Sequence, residues 1–298
     1  WRNDIGGSGR LTKSGVGWLR LSGKNTFSGL DVRQGVLELD SDNRLGKVEV
    51  NGGLFVLNGK LASTDLLVNS GVASVQGRAT GGATRIAKGG SLHGNGTLGD
   101  TVVEGTIAPG NSIGTLHIVG TYTQAPGSFY EAEIAAPSAS DLIDVTGRAN
   151  LLGGTVRVFN APGRYLLGQR FNILTATDGV SGRFASIDAS AISPFLTFGF
   201  NYGANRVNVD VARGLALATA ARTRNQPSVA MAADVLALNA HLVQTLTQLF
   251  PHEAGQALDS LSGELYPGVQ SVLVEGSRHV RDAALLRARA GAGEFAPA

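Results

Sequence analysis

Residues 35–75 read GVLELDSDNRLGKVEVNGGLFVLNGKLASTDLLVNSGVASV, and three glycines in this stretch set a period. Gly35, Gly53 and Gly71 are evenly spaced, and each precedes a short alternating segment: VLEL, LFVL or VASV. Between them lies a second apolar pair, Val48/Val50 and then Leu66/Val68, with Leu30/Val32 one interval earlier. Working outward, the glycine series continues at Gly90 (SLHG), Gly105 (TIAP) and Gly120 (TYTQ), the last two steps being shorter than the others. The second series continues through Ile86, Val102 and Leu116/Ile118. Two or three short strands per period, each closed by Gly, Asn or Asp, is the pattern of a solenoid built from coils.

Strands of about four residues are too short to stand alone. Stacked at about 4.8 Å, they pair with the coil above and the coil below. Alternation then turns Val, Leu and Ile inward and the polar residues to water. The rival is a meander of antiparallel hairpins, which calls for strands of even length and Asn-Gly turns. Asn-Gly does occur, at Asn51-Gly52, Asn58-Gly59 and Asn95-Gly96. Strands this short and of uneven length favour the first arrangement, so the fold expected is all-β: a right-handed parallel β-helix with a C-terminal α-helical linker.

Residues 127–212 stay β-rich but lose the short period. Phe129–Ile134, Asp141–Val145, Gly154–Phe159, Phe171–Ala176 and Arg206–Val211 read as longer strands. Most aromatic residues lie here, which marks this as the better-packed end of the solenoid. Beyond Arg213 the texture changes, with few glycines and many Ala and Leu. Helix is expected from Asn225–Ser228 to about Phe250, stopped by Pro251. A second helical stretch runs from Glu253 to Arg289, interrupted near Gly263, Pro267 and Gly268. The expected divisions are a stalk over 1–126, a cap over 127–212 and a helical linker over 213–298.

Apolar residues make up 43% of the 298 and charged residues 16%, so the chain is not a disordered low-complexity segment despite its glycine content. A net charge of +2 with a pI near 9.1 leaves no electrostatic footprint for nucleic acid. Without cysteine there are no disulfides, zinc thiolates or thiol nucleophiles. In a chain exported through an oxidising compartment, that absence keeps the polypeptide threadable. No apolar run approaches the roughly 18 residues of a membrane-spanning helix. Trp1 opens inside a repeat, with no initiator Met and no signal peptide, so the sequence reads as a segment of a longer chain.

Four stretches carry a family resemblance. WRNDIGGSGRLTKSGVGWLRLSGKNTFSGL (1–30) resembles the repeat of type V autotransporter passenger domains. LHGNGTLGDTVVEGTIAPGNSIGTLHIVGTYTQAPGSFYEAEI (92–134) resembles another passenger segment, with its G-x-I/L-x-P-G-x-S-x-G-x-L core. Residues 140–211, including YLLGQRFNILTATDGVSGRF, are similar to the autochaperone end of such passengers. LDSLSGELYPGVQSVLVEGSRHVRDAALLR (258–287) resembles the segment leading into a C-terminal β-barrel translocator. The resemblance implies secretion through a Gram-negative outer membrane to the cell surface, C-terminal end first, with the cap templating coils added behind it. The implied partners are the chain's own β-barrel and an N-terminal effector domain, both outside these residues. The tail looks most like that of subtilisin-like protease autotransporters; the alternative parent is a β-helical adhesin.

One motif competes with this reading. Residues 110–114, GNSIG, match the G-x-S-x-G of α/β-hydrolases, which would make Ser112 a nucleophile. A nucleophile elbow needs a strand before the serine and a helix after it. Here TVVEGTIAPG precedes and TLHIVGTYT follows, both strand-like, so Ser112 is expected on a turn. His93 and His117 are lone histidines on polar strand faces. The close carboxylate pairs, Asp141/Asp144 and Glu131/Glu133, are each read as sharing one strand face, as solvated surface. No metal or cofactor pattern is recognised: neither G-G-x-G-x-D repeats nor H-E-x-x-H occurs. The site expectation is therefore no catalytic, cofactor or metal residue.

Overall fold

Val32, Val50, Val68 and Ile86 stack in register, each the parallel ladder partner of the next and each fully buried. They recur at the same even interval as the glycines, so the period in the sequence is one turn of a parallel β-helix. The computed structural model describes residues 1–263 and 265–291. The chain divides into two compact units, the solenoid Trp1–Gly214 and a helical unit Leu215–Ala298.

Strands stack in three columns. The first holds the valine ladder. The second carries Leu37, Phe55, Ala73, Leu92, Ile107, Tyr130 and Val156 in register. The third carries Leu61, Ala79, Leu98, Ile118, Val145 and Ala176. All these side chains are buried and belong to one continuous core. Burying each of the larger ones stabilises the fold by about 1.5–3 kcal/mol, which a single coil with one exposed side could not collect.

Strand lengths depart from the short segments expected. Asn43–Leu57 is a single strand of 15 residues that turns a corner at Asn51–Gly53, where its register on the next turn shifts before pairing resumes at Leu54. The corner is tight because its glycines stack. Gly53 has φ +64°, and a Cβ there would lie 2.4 Å from the Gly35 carbonyl oxygen of the turn before. Buried asparagines close another corner. Asn25 Nδ2 donates to Asn43 Oδ1 at 2.6 Å, and Asn43 Nδ2 donates to Ser41 O at 2.6 Å. Lys13, in register with Val32, points into the core line and ends it with its Nζ donated to Ser14 O, Gly15 O and Gln34 O.

The glycine period is misleading past Gly105. Tyr122–Gln124 does not stack on Thr106–Pro109; it continues the first column above Thr101–Val103. The true partner of Ile107 is Tyr130, well beyond the segment that follows Gly120. Likewise the inward residue above Ile86 is Val103, and Val102 faces outward. From there the turns lengthen. Val103, Gln124, Leu151 and Gly182 are successive partners, and each step along the chain is longer than the one before.

The enlarged end is closed by a change of direction. Arg170–Ala176 stacks parallel on Leu142–Val145, then takes Arg206–Arg213 antiparallel on its other edge. Leu196–Tyr202 completes the antiparallel set. The tip of this hairpin covers the last turn. Val180 N–H donates to Ala204 O at 2.9 Å, and Asn205 Nδ2 donates to Ala176 O and Thr177 O. The edge at residues 176–180, which would otherwise template further pairing, is satisfied in this way.

In the helical unit, Leu217–Ala220 forms a short 3₁₀ turn, followed by α1 (Gln226–Asp234), α2 (His241–Leu246), α3 (Pro251–Ser262) and α4 (Leu265–Gly291). The single helix expected up to Phe250 is thus two helices. The second stretch breaks at Gly263, which has φ +74°, but not at Pro267 or Gly268. Pro267 falls in the first turn of α4, where a missing N–H costs no intrahelical bond. Gln226 is buried against this unit's backbone, accepting from Thr223 N–H at 3.0 Å and donating to Gly255 O at 3.0 Å. Among the described residues, no helix is long and apolar enough to cross a membrane.

A Cβ at Gly53 meets both a forbidden φ and a carbonyl, so Gly53→Ala should destabilise the solenoid by about 2 kcal/mol or more. Gly9→Ala, where nothing lies within 4 Å of a new Cβ, should stay within about 0.5 kcal/mol. Urea unfolding followed by circular dichroism measures both.

Candidate functional site

Where the turns lengthen, the stacked core positions change from apolar to polar. Above Thr101 and Val103 stand Tyr122 and Gln124, and above Ile107 stands Tyr130, all three fully buried. A buried polar group must find a partner, and these find one another. Tyr122 OH donates to Gln124 Oε1, Gln124 Nε2 donates to Ser128 Oγ at 2.6 Å, and Ser128 Oγ donates to Ala125 O at 2.5 Å. Tyr130 OH donates to Ile173 O at 2.7 Å, tying one long turn to the next. Tyr165 OH does the same, at 2.8 Å from Ile134 O and 2.7 Å from Ala161 O. Burial pushes all three phenols above their ordinary range.

Aromatic rings link this layer to the closing hairpin. Tyr130 packs on Phe184 at 6.2 Å, Phe184 stacks on Phe200 at 5.5 Å, and Phe200 meets Tyr202 at 5.6 Å. Phe171 packs on Tyr165 at 6.0 Å. The Tyr202 hydroxyl accepts Phe184 N–H at 3.0 Å, and the Arg183 guanidinium lies 4.6 Å over the Tyr202 ring. These contacts, spread from Tyr122 to Tyr202, make one packed block of the lengthened turns.

Asp141 belongs to the same layer, against expectation. Asp141 and Asp144 lie on opposite faces of their strand, because an odd interval reverses the side chain. Asp141 shares the inward parity of Ile143 and Val145 and is 4% exposed. Its carboxylate accepts Gly114 N–H and Glu133 N–H, each at 2.8 Å. Burial raises its pKa from 3.8 to about 6, against those two hydrogen bonds, which favour the ionised form. Asp144 faces outward, 3.2 Å from His117 Nδ1 and accepting Thr175 Oγ1–H at 2.6 Å. Glu131 pairs with Arg157 at 3.1 Å, and Arg157 also covers the Phe129 ring at 3.6 Å.

Ser112 sits on the exposed bend between Thr106–Pro109 and Thr115–Ile118, and a strand rather than a helix follows it. Both nearby histidines are engaged elsewhere, His93 Nδ1 lying 3.2 Å from Asn111 Oδ1 and His117 against Asp144. The two glycines of GNSIG are what the bend needs. A Cβ on Gly110 would lie 1.8 Å from Ser112 O, and one on Gly114 would lie 1.8 Å from Asn95 Oδ1. The pattern is a corner between two strands. Among the described residues, no group of three or more His, Asp or Glu is arranged to hold a metal ion.

Sequence reasoning missed the polar layer. The signal was present in Tyr122 and Gln124, but the slipped glycine period assigned them to the wrong column. For Asp141 it lay in the alternation D-L-I-D-V, which puts Asp141 with Ile143 and Val145.

A three-column parallel β-helix with lengthened, hairpin-closed C-terminal turns defines the class. The fold and the similarities that follow fit a C-proximal part of a type V autotransporter passenger. No family model matches the chain. It is 32% identical, over an alignment 346 positions long, to an extracellular serine protease of Serratia marcescens. A second protein of that name from the same organism is 29% identical over the same length. Each similarity takes in 98% of this chain and 30% of the relative, so the chain spans under a third of the relatives' length.

Two outcomes are expected at this site. Since the folded-state pKa of Asp141 is raised, the folded protein holds that proton more tightly than the unfolded chain. The stability that Asp141 contributes is full below about pH 4 and declines as pH rises to about 6. The wild-type unfolding free energy, less that of Asp141→Asn at the same pH, should therefore fall across this window in urea titrations. Separately, Ser112→Ala should change stability by less than about 0.5 kcal/mol, and a serine-directed phosphonate should fail to label the chain.

Proposed function

We propose that this chain is the non-catalytic stalk and autochaperone segment of a secreted autotransporter passenger. In this reading residues 127–212 emerge first at the outer surface of a Gram-negative bacterium and fold into the packed end. The regular turns of 1–126 then add behind it, and 213–298 lead to the β-barrel. The observation that carries the reading is the polar and aromatic block from Tyr122 to Tyr202. Within it, side chains as well as backbone tie one turn to the next. Coils that touch only their neighbours can add directionally from such an end without an external energy source.

The whole protein is proposed to be an extracellular serine endopeptidase of subtilisin-like type, with its catalytic domain outside these residues. The name of the two relatives, extracellular serine protease, supports the protease part of that assignment, and the subtilisin-like type rests on the resemblance of the tail 258–287. Export would bring the protein to the cell surface or the medium, without cofactor or nucleic acid.

The test is truncation of a core aromatic in the intact parent protein. Phe171 is fully buried and Phe184 nearly so, so Phe171→Ala or Phe184→Ala should destabilise the end by about 3–5 kcal/mol. Surface display should slow, and the displayed passenger should become sensitive to added protease. Unchanged display with unchanged resistance would count against the template role.

A further inference from the structure

Gly114 is the point where the regular turns meet the enlarged end, and one segment holds it from both sides. Its N–H donates to Asp141 Oδ1 at 2.8 Å, and its carbonyl accepts Leu142 N–H at 2.9 Å. The other contacts of Asp141 stay within the end. Its Oδ2 accepts Glu133 N–H at 2.8 Å, its own N–H donates to Glu133 O at 2.8 Å, and its carbonyl accepts Tyr130 OH at 3.3 Å. These bonds fix the residue, and one carboxylate oxygen reaches out to the preceding turn.

Register is hardest to set at this junction. Thr115–Ile118 must seat on Leu142–Val145, yet a whole lengthened turn of chain separates Ile118 from its partner Val145. A slip by a single position would turn Leu116 and Ile118 outward and His117 inward. An ionised acceptor held in place makes a stronger hydrogen bond than a backbone carbonyl, and it acts at one position only. The corner is shaped to admit it: a Cβ on Gly110 would stand 3.1 Å from Asp141 Oδ1.

We propose that Asp141 is the positioning residue of the template: its carboxylate, fixed by the folded end, captures Gly114 N–H and sets the register of the first regular turn. This rests on the reading of residues 127–212 as a template. The G-x-x-x-G spacing at 110–114 is then a docking corner, with bare backbone on the side that meets the carboxylate. Once Gly114 is seated, Thr115–Ile118 offers its outer edge to the turn carrying Thr97–Leu98, and addition proceeds toward the N-terminus.

The experiment is refolding of the full 298-residue chain from urea, with pulsed hydrogen exchange read by mass spectrometry. In the wild type, protection should rise first over 165–213 and shortly afterwards over 97–118. In Asp141→Ala, residues 165–213 should gain protection at the wild-type rate, while 97–118 lag about tenfold or more behind it. Ser140→Ala removes a bond internal to the end, Ser140 Oγ to Asn172 O at 2.8 Å, and should keep the wild-type interval. Phe171→Ala should slow both regions together. If Phe171→Ala slows both but Asp141→Ala leaves the interval unchanged, the positioning role is overturned and the template stands. If Phe171→Ala slows only 165–213, the template reading itself fails. Loss of protection throughout 165–213 in Asp141→Ala would also overturn the proposal, because Asp141 would then belong to the end's own fold.

Discussion

Every turn of this solenoid depends on hydrogen bonds it cannot make alone. A strand such as Val36–Leu39 has no partner within its own turn; its ladder runs to Trp18–Leu21 on one side and to Leu54–Leu57 on the other. The same neighbours bury its side chains. Stability is therefore shared between adjacent turns, and an isolated turn would leave a row of N–H and C=O groups unpaired on both edges. That constraint explains why glycine is spent at corners. Backbones stacked this closely leave no room for a side chain where one turn's carbonyl points into the next.

The same constraint makes the two kinds of core different in purpose. In the regular turns Val, Leu and Ile repeat, and one turn is held much as any other. Such a ladder is tolerant, because valine stacked on valine carries little information about which valine it is. The lengthened turns carry Tyr122, Gln124, Ser128, Tyr130 and Asp141 inside, and a buried hydrogen bond accepts only its own partner. Polar groups buried among apolar ones are costly when unpaired, so this layer fits one arrangement and penalises slipped ones. The hairpin Leu196–Arg213 then ends the ladder by switching to antiparallel pairing.

The regular part of the fold was legible in the sequence because its spacing is local arithmetic. Equal steps from Gly35 to Gly53 and from Gly53 to Gly71 bring Leu37, Phe55 and Ala73 into one line. The reading slipped at Gly120, where a glycine and an alternating segment reappeared in the wrong column. Nothing local distinguishes TYTQ as the next strand of one column from the next strand of another once turn length changes. GNSIG shows the reverse case. Its flanking strands were enough to place Ser112 on a corner, while the reason for its glycines lay in residues distant in sequence, Asn95 and Asp141.

By itself the sequence determined that short alternating strands would coil, which residues would face inward in the evenly spaced turns as far as Ile86, and where β structure gives way to helix. These follow from periodicity, which each segment carries within itself. Tertiary structure alone decided which strand of a long turn meets which, and that Asp141 is an interior group rather than a surface one. Those outcomes depend on contacts between residues a full turn or more apart in the chain, such as Gly114 with Asp141 and Tyr130 with Ile173. A buried polar contact leaves no period behind; it exists only once the backbone has brought its two ends together.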